Sequence, residues 1–185
     1  MVISFKLKAQ FGLSGDVPMA ADYDGDGQAD LAVWRKAESG LHIQRSSDQT
    51  EQAVYLGELG NTPVIGDFNG DGQTDIAVFR ATEGRWLLRD ALTGQISDVQ
   101  FGQAGDAPMA ADFDGDGKDD LMLWRAGTGY VRRSSDQMVE AAPWGSLSAG
   151  EAIVLGDYDG DGRAEPAVWR TAKAAWDVMF RQTPR

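Results

Sequence analysis

The sequence predicts an all-β protein, and three observations carry that expectation. The first is an internal period. The segments DYDGDGQAD, DFNGDGQTD, DFDGDGKDD and DYDGDGRAE begin at Asp22, Asp67, Asp112 and Asp157, a constant spacing of 45 residues, and a fixed period of this length marks a repeat architecture. The second is the apolar run that follows each segment and ends in arginine: LAVWR, IAVFR, LMLWR and PAVWR. Runs this short, bounded by glycine-rich turns and apolar on both faces, read as strands buried between neighbouring sheets. The third is the lack of helical pattern. No stretch of a dozen residues free of Gly and Pro shows an apolar stripe at the helical period. Four short antiparallel strands in each period predict a β-propeller of four-stranded blades, one per repeat, with residues 1–185 forming a single domain.

The second repeat displays the elements in order. Its strands are expected at 62–67, 76–80, 85–91 and 96–102, separated by turns at 69–72, 82–84 and 92–94. The small residues Ala20, Ala21, Ala110 and Ala111 suit the innermost strand, where blades crowd around the axis. The opening segment VISFKLKAQFG aligns with a fourth strand and the closing segment AAWDVMFR with a third. Residues 1–10 are therefore expected to complete the last blade and close the ring, which removes free strand edges. Two chains pairing into eight blades, or four blades belonging to something larger, are the alternatives. Repeats one and three also share RSSDQ, at 45–49 and 133–137, as if a two-blade unit had been duplicated. Trp34, Trp86, Trp124, Trp169 and Trp176 fall in strands, where packing between blades is the expected role.

The aspartate-rich segments have the chemistry of a metal loop. Calcium takes six to eight oxygen ligands, and carboxylates at positions 1, 3, 5 and 9 of a nine-residue loop supply them. In loop 22–30 these are Asp22, Asp24, Asp26 and Asp30, with the backbone carbonyl of Gln28 at position 7. Loop 67–75 offers Asp67, Asn69, Asp71, Gln73 and Asp75; loop 112–120 offers Asp112, Asp114, Asp116, Lys118 and Asp120. Loop 157–165 offers Asp157, Asp159, Asp161, Arg163 and Glu165. Glycines at positions 4 and 6 permit the sharp backbone turn at little steric cost. An EF-hand would need a bidentate Glu at position 12 and flanking helices. Position 12 here is Val33, Val78, Leu123 and Val168, each inside a predicted strand. The expectation is up to four Ca2+ ions, one per repeat, and magnesium suits an all-protein cage less well.

The repeats resemble the FG-GAP or VCBS repeats of integrin α-subunit propellers. The matching residues are Phe11-Gly12 and Phe101-Gly102, varied to Leu56-Gly57 and Trp144-Gly145, together with the DxDxDGxxD loops. The resemblance covers almost the whole chain. It implies a propeller with calcium in the loop joining the first two strands of each blade, and an extracellular or cell-surface interaction or adhesion module. Integrin-like propellers have seven blades, whereas this sequence contains four repeats.

Composition limits the partners. The net charge of −12 disfavours nucleic acid and anionic lipid. No apolar run is long enough for a membrane span, and Lys6 and Lys8 interrupt what would be the core of a secretory leader. Cysteine is absent, which excludes thiolate chemistry and disulfides. No catalytic constellation is recognisable. The single histidine, His42, lies in a strand-like segment, and neither a nucleophile elbow nor a phosphate-cradling loop occurs. The expected function is non-catalytic, with a protein or glycan ligand. A lectin-like propeller, or part of a polysaccharide-degrading enzyme, is the alternative.

Ligands would meet the variable loops at 36–40, 81–84, 126–129 and 171–174 and at 13–16, 58–61, 103–106 and 146–151. Arg35, Arg80, Arg125 and Arg170 recur beside them. They are expected to pair with acidic residues such as Asp16, Asp106 and Glu151, the other role being an anion or sugar site.

Overall fold

The computed structural model describes residues 10–180. Four small antiparallel sheets follow one another along the chain and are arranged as a four-bladed β-propeller. Blade one contains β1 (Val17–Pro18), β2 (Leu31–Arg35), β3 (Gly40–Gln44) and β4 (Glu51–Tyr55). Blade two contains β5 (Thr62–Gly66), β6 (Asp75–Arg80), β7 (Arg85–Arg89) and β8 (Ile96–Gln100). Blade three contains β9 (Ala107–Ala111), β10 (Asp120–Arg125), β11 (Thr128–Arg132) and β12 (Val139–Pro143). Blade four contributes β13 (Ala152–Gly156), β14 (Glu165–Arg170) and β15 (Ala175–Val178). The closing strand expected from residues 1–10 falls on residues 1–9, which lie outside the described residues.

Among the described residues, each strand pairs only with its sequence neighbours, as short turns require. Blade one departs from the expected pattern in its first strand. β1 is only two residues long, and the pairing continues beyond it through a bridge between Ala21 and Asp30. Among the described residues, the helix content is a single three-residue 3-10 turn at Thr171–Lys173.

The core lies between blades, not within them. A β-sheet has two faces, and each central blade presents an apolar face to both neighbours. Trp34, Leu41 and Ile43 of blade one pack against Ile76 and Val78 of blade two. Phe79 and Trp86 of blade two meet Leu121 and Leu123 of blade three, and Met122, Trp124 and Val131 of blade three meet Ile153 and Leu155 of blade four. This is why the second strands are apolar on both sides: the run Asp75–Phe79 is buried throughout.

Blade three reaches the same packing by a different route. At the position of Leu41 and Trp86 it has Gly129, where even a Cβ would overlap the Trp144 ring. Trp144 arrives from the connection after β12, fills that slot and stacks on Trp124 with ring centroids 5.9 Å apart. Trp176 is the exception among the predicted packing tryptophans. It touches Trp169 at 5.2 Å yet is 51% exposed, because no following blade covers it among the described residues.

Candidate metal centres

Antiparallel pairing places the aspartate-rich loops at one end of the blades, beside the β3–β4, β7–β8 and β11–β12 turns in blades one to three, and the turns after the arginine-ended β2, β6, β10 and β14 at the other. Within a loop, position 1 organises the backbone. The Asp22 carboxylate accepts from the N–H groups of Gly25 at 2.7 Å and Gly27 at 2.8 Å, both glycines being at positive φ. Asp67, Asp112 and Asp157 repeat the arrangement.

Position 9 is the buried member. Asp30, Asp75, Asp120 and Glu165 are all buried. Asp30 accepts from Tyr23 N–H at 2.9 Å and from Ser46 N–H, in the β3–β4 turn, at 2.7 Å. Asp75 does the same with Phe68 and Ala91, and Asp120 with Phe113 and Ser134. Glu165 accepts from Tyr158 N–H at 2.9 Å. A carboxylate has about four lone-pair sites, so two such bonds leave it capacity for a cation.

Positions 1, 3 and 9 converge in three of the loops. Asp22, Asp24 and Asp30 place ligand oxygens within 4.8 Å of one another, as do Asp112, Asp114 and Asp120, and Asp157, Asp159 and Glu165. In the second loop Asn69 replaces the acid at position 3, and its amide donates to Asp71 at 3.1 Å and Asp90 at 3.0 Å. The position-5 aspartates Asp26, Asp71, Asp116 and Asp161 stand outside these groups. Their carboxylates cap the N–H groups of Gln28, Gln73, Lys118 and Arg163 at 2.7 to 2.9 Å. The donors are all hard oxygens, and this donor set fits a divalent cation of the calcium type.

The sequence reading missed two sets of supporting residues. Ser46 and Ser47 donate their hydroxyls to Asp26 and Asp24, and Ser134 and Ser135 do the same for Asp116 and Asp114. The shared RSSDQ segments were the available clue. The second set is made of backbone groups. The position-8 N–H donates to the position-1 carbonyl of the preceding loop: Thr74 to Asp22, Asp119 to Asp67 and Ala164 to Asp112, at 2.7, 2.7 and 2.6 Å. The position-7 side chains reinforce this link, with Gln73, Lys118 and Arg163 lying over Gly25, Gly70 and Gly115. Each loop is thereby tied to the next.

Burial, with neighbouring charge as the lesser cause, raises the proton affinity of two carboxylates at this end. Burial, with Asp90 and Asp71 nearby, pushes Asp75 up to about 6. Burial and the charges of Asp67, Asp112 and Asp120 push Asp119 up to about 6 as well.

Three stretches of the chain, 22–78, 67–123 and 112–168, match the model of the FG-GAP-like repeat. The chain belongs to the FG-GAP-like repeat family. Each match runs from the first aspartate of one metal loop into the strand after the next, so the repeat unit that defines the family is the one that carries these loops. No curated protein matches the chain.

The opposite end of this FG-GAP propeller is dominated by ion pairs. Arg125 binds Asp106 through two bonds of 2.6 Å, and Arg35 binds Asp16 likewise at 3.3 and 3.1 Å. Arg170 reaches Glu151 at 2.8 Å, whereas Arg80 and Glu58 are 3.7 Å apart. All four arginines therefore face acids, which removes them as free anion ligands. His42 sits between Arg35 and Glu38, 3.1 Å from each. A groove of about 1100 Å³ runs between blades three and four, lined by Phe113, Trp144, Pro166 and Phe180 with Glu140.

Proposed function

We propose that this chain is a calcium-stapled binding module of the extracellular space or cell surface, in which the cation stabilises the blades and the sheets display ligand-binding loops. The observation that supports it most strongly is the chain of bonds linking one acidic loop to the next. A cation held by Asp22, Asp24 and Asp30 neutralises charge at a point already bonded to the second blade, so its binding energy becomes stability of the blade pair. The same argument applies to the Asn69 loop and to the Asp112 group, while the Asp157 group is tied back to blade three through the Ala164 N–H. Weak calcium loops of extracellular modules fit a calcium-rich exterior.

Thermal unfolding in calcium and in chelator tests the stabilising role. A cation at tenfold its dissociation constant contributes about 1.4 kcal/mol per site, so four sites raise Tm by about 10 °C or more. An unchanged Tm would overturn the reading. A glycan ligand is the second reading, favoured by the aromatic groove between blades three and four. Binding to a glycan array in calcium but not in chelator supports it, and a blank array rejects it.

A further inference from the structure

The two ends of the blade series are unfinished versions of an interface that the molecule already makes three times. Blade one presents to the outside the face that blades two to four bury. Its Leu31 is 41% exposed and Ala20 is exposed, whereas the equivalent Ile76 and Leu121 are buried. Blade four presents the complementary face. Tyr158 is 42% exposed where Tyr23 and Phe113 are buried, and Trp176 lies open where Trp86 is wholly enclosed.

The backbone and loop contacts end in the same way. Among the described residues, no bond joins the Ala29 N–H to the Asp157 carbonyl, although these are the position-8 donor and position-1 acceptor of the repeating link. Gly25, Gly70 and Gly115 are each covered by the position-7 side chain of the next loop, while no described residue lies within 4 Å of the Cβ direction of Gly160. The matching cover, Gln28 of blade one, is exposed. An apolar patch, a hydrogen-bond acceptor and an open glycine are thus left together at one end, with their complements at the other.

From this we infer that a second copy of the chain docks head to tail, blade four of one copy against blade one of the other. The occupant has to present a repeat face with an apolar second strand, a position-8 N–H and a position-7 side chain in register, and blade one of another copy has all three. The contact is heterologous, so two of them close a pair of chains when the rotation allows, and otherwise chains extend.

Native mass and sedimentation of the full chain in calcium test the proposal. The expected species is a dimer of about 40 kDa, twice the 20.0 kDa of the chain, or a concentration-dependent series of larger multiples. A 20.0 kDa species at every concentration overturns it. Leu31→Lys and Trp176→Lys, checked for native circular dichroism, each shift the protein to monomer. Mixing the two variants restores a dimer through the one intact pair of faces. If Leu31→Lys leaves the wild-type mass unchanged, the head-to-tail contact is wrong. The Tm response to calcium is measured on the same monomeric variants, so failure of the docking contact and failure of the stapling role are read separately.

Discussion

Asp106 has almost no contact with water, and a carboxylate in that position survives only with strong partners. Burial pulls its proton affinity up, but the Arg125 fork and the Gln103 N–H outweigh it and hold the group below the usual carboxylate range. Asp106→Asn weakens two charge-assisted bonds and is expected to cost about 2 kcal/mol. Glu58→Gln, at the exposed 3.7 Å pair with Arg80 in blade two, where Asn61 stands at the Asp106 position, is expected to cost less than about 0.5 kcal/mol. Urea midpoints of the two variants check the contrast, and equal losses would refute it. The arginine pairing was readable beforehand, because Asp16, Asp106 and Glu151 recur at the same distance before the arginine-ended strands. What a linear pattern does not show is which pairs are buried. That depends on how closely each loop folds over its strand.

Each metal loop divides its acids between two tasks. Asp24 meets only side-chain and loop groups near the surface, whereas Asp30 is buried and joins the start of the loop to the β3–β4 turn. Asp24→Asn is expected to weaken calcium binding in that loop while leaving the chelated protein's stability within about 0.5 kcal/mol. Asp30→Asn replaces a carboxylate that accepts two backbone N–H bonds. It is expected to cost about 1–3 kcal/mol even in chelator. Calcium titration calorimetry beside thermal melts distinguishes the two, and a metal-only effect for Asp30→Asn would reject the structural role. The recurrence of carboxylates and glycines at fixed offsets was legible, but which acids converge was not: positions 1, 3 and 9 do so in three loops, while position 5 stands apart. The substitution of Trp144 for the missing side chain at Gly129 was not legible either, because the two residues belong to different strands and meet only in the fold. Trp176 was misread as a packing residue for a similar reason: its sequence environment matches Trp86, but burial depends on a neighbour.

Taken over the whole molecule, the raised carboxylates make stability depend on pH. Asp75 and Asp119 titrate near 6 in the metal-free fold, above the ordinary unfolded value of about 3.9. Between those values the folded chain holds more protons than the unfolded one, so their contribution falls as pH rises from about 4 to 6. In chelator these two groups are expected to contribute less stability at pH 6 than at pH 4, whereas carboxylates held low, such as Asp106, act in the opposite sense at lower pH. The proposed calcium would oppose that fall by favouring the ionised forms, and its increment in Tm is expected to be larger at pH 7 than at pH 5. Melting curves with and without chelator at the two pH values decide this, an equal increment being the contrary result. The links between loops were invisible in the sequence because Thr74, Asp119 and Ala164 share nothing but a backbone N–H. In all three the later repeat donates and the earlier one accepts. During synthesis, which at about 5–20 residues per second delivers a repeat in roughly 2–9 s, each new repeat finds its acceptor already made. The chain can therefore assemble in the order in which it leaves the ribosome, with one bare apolar face at the growing end.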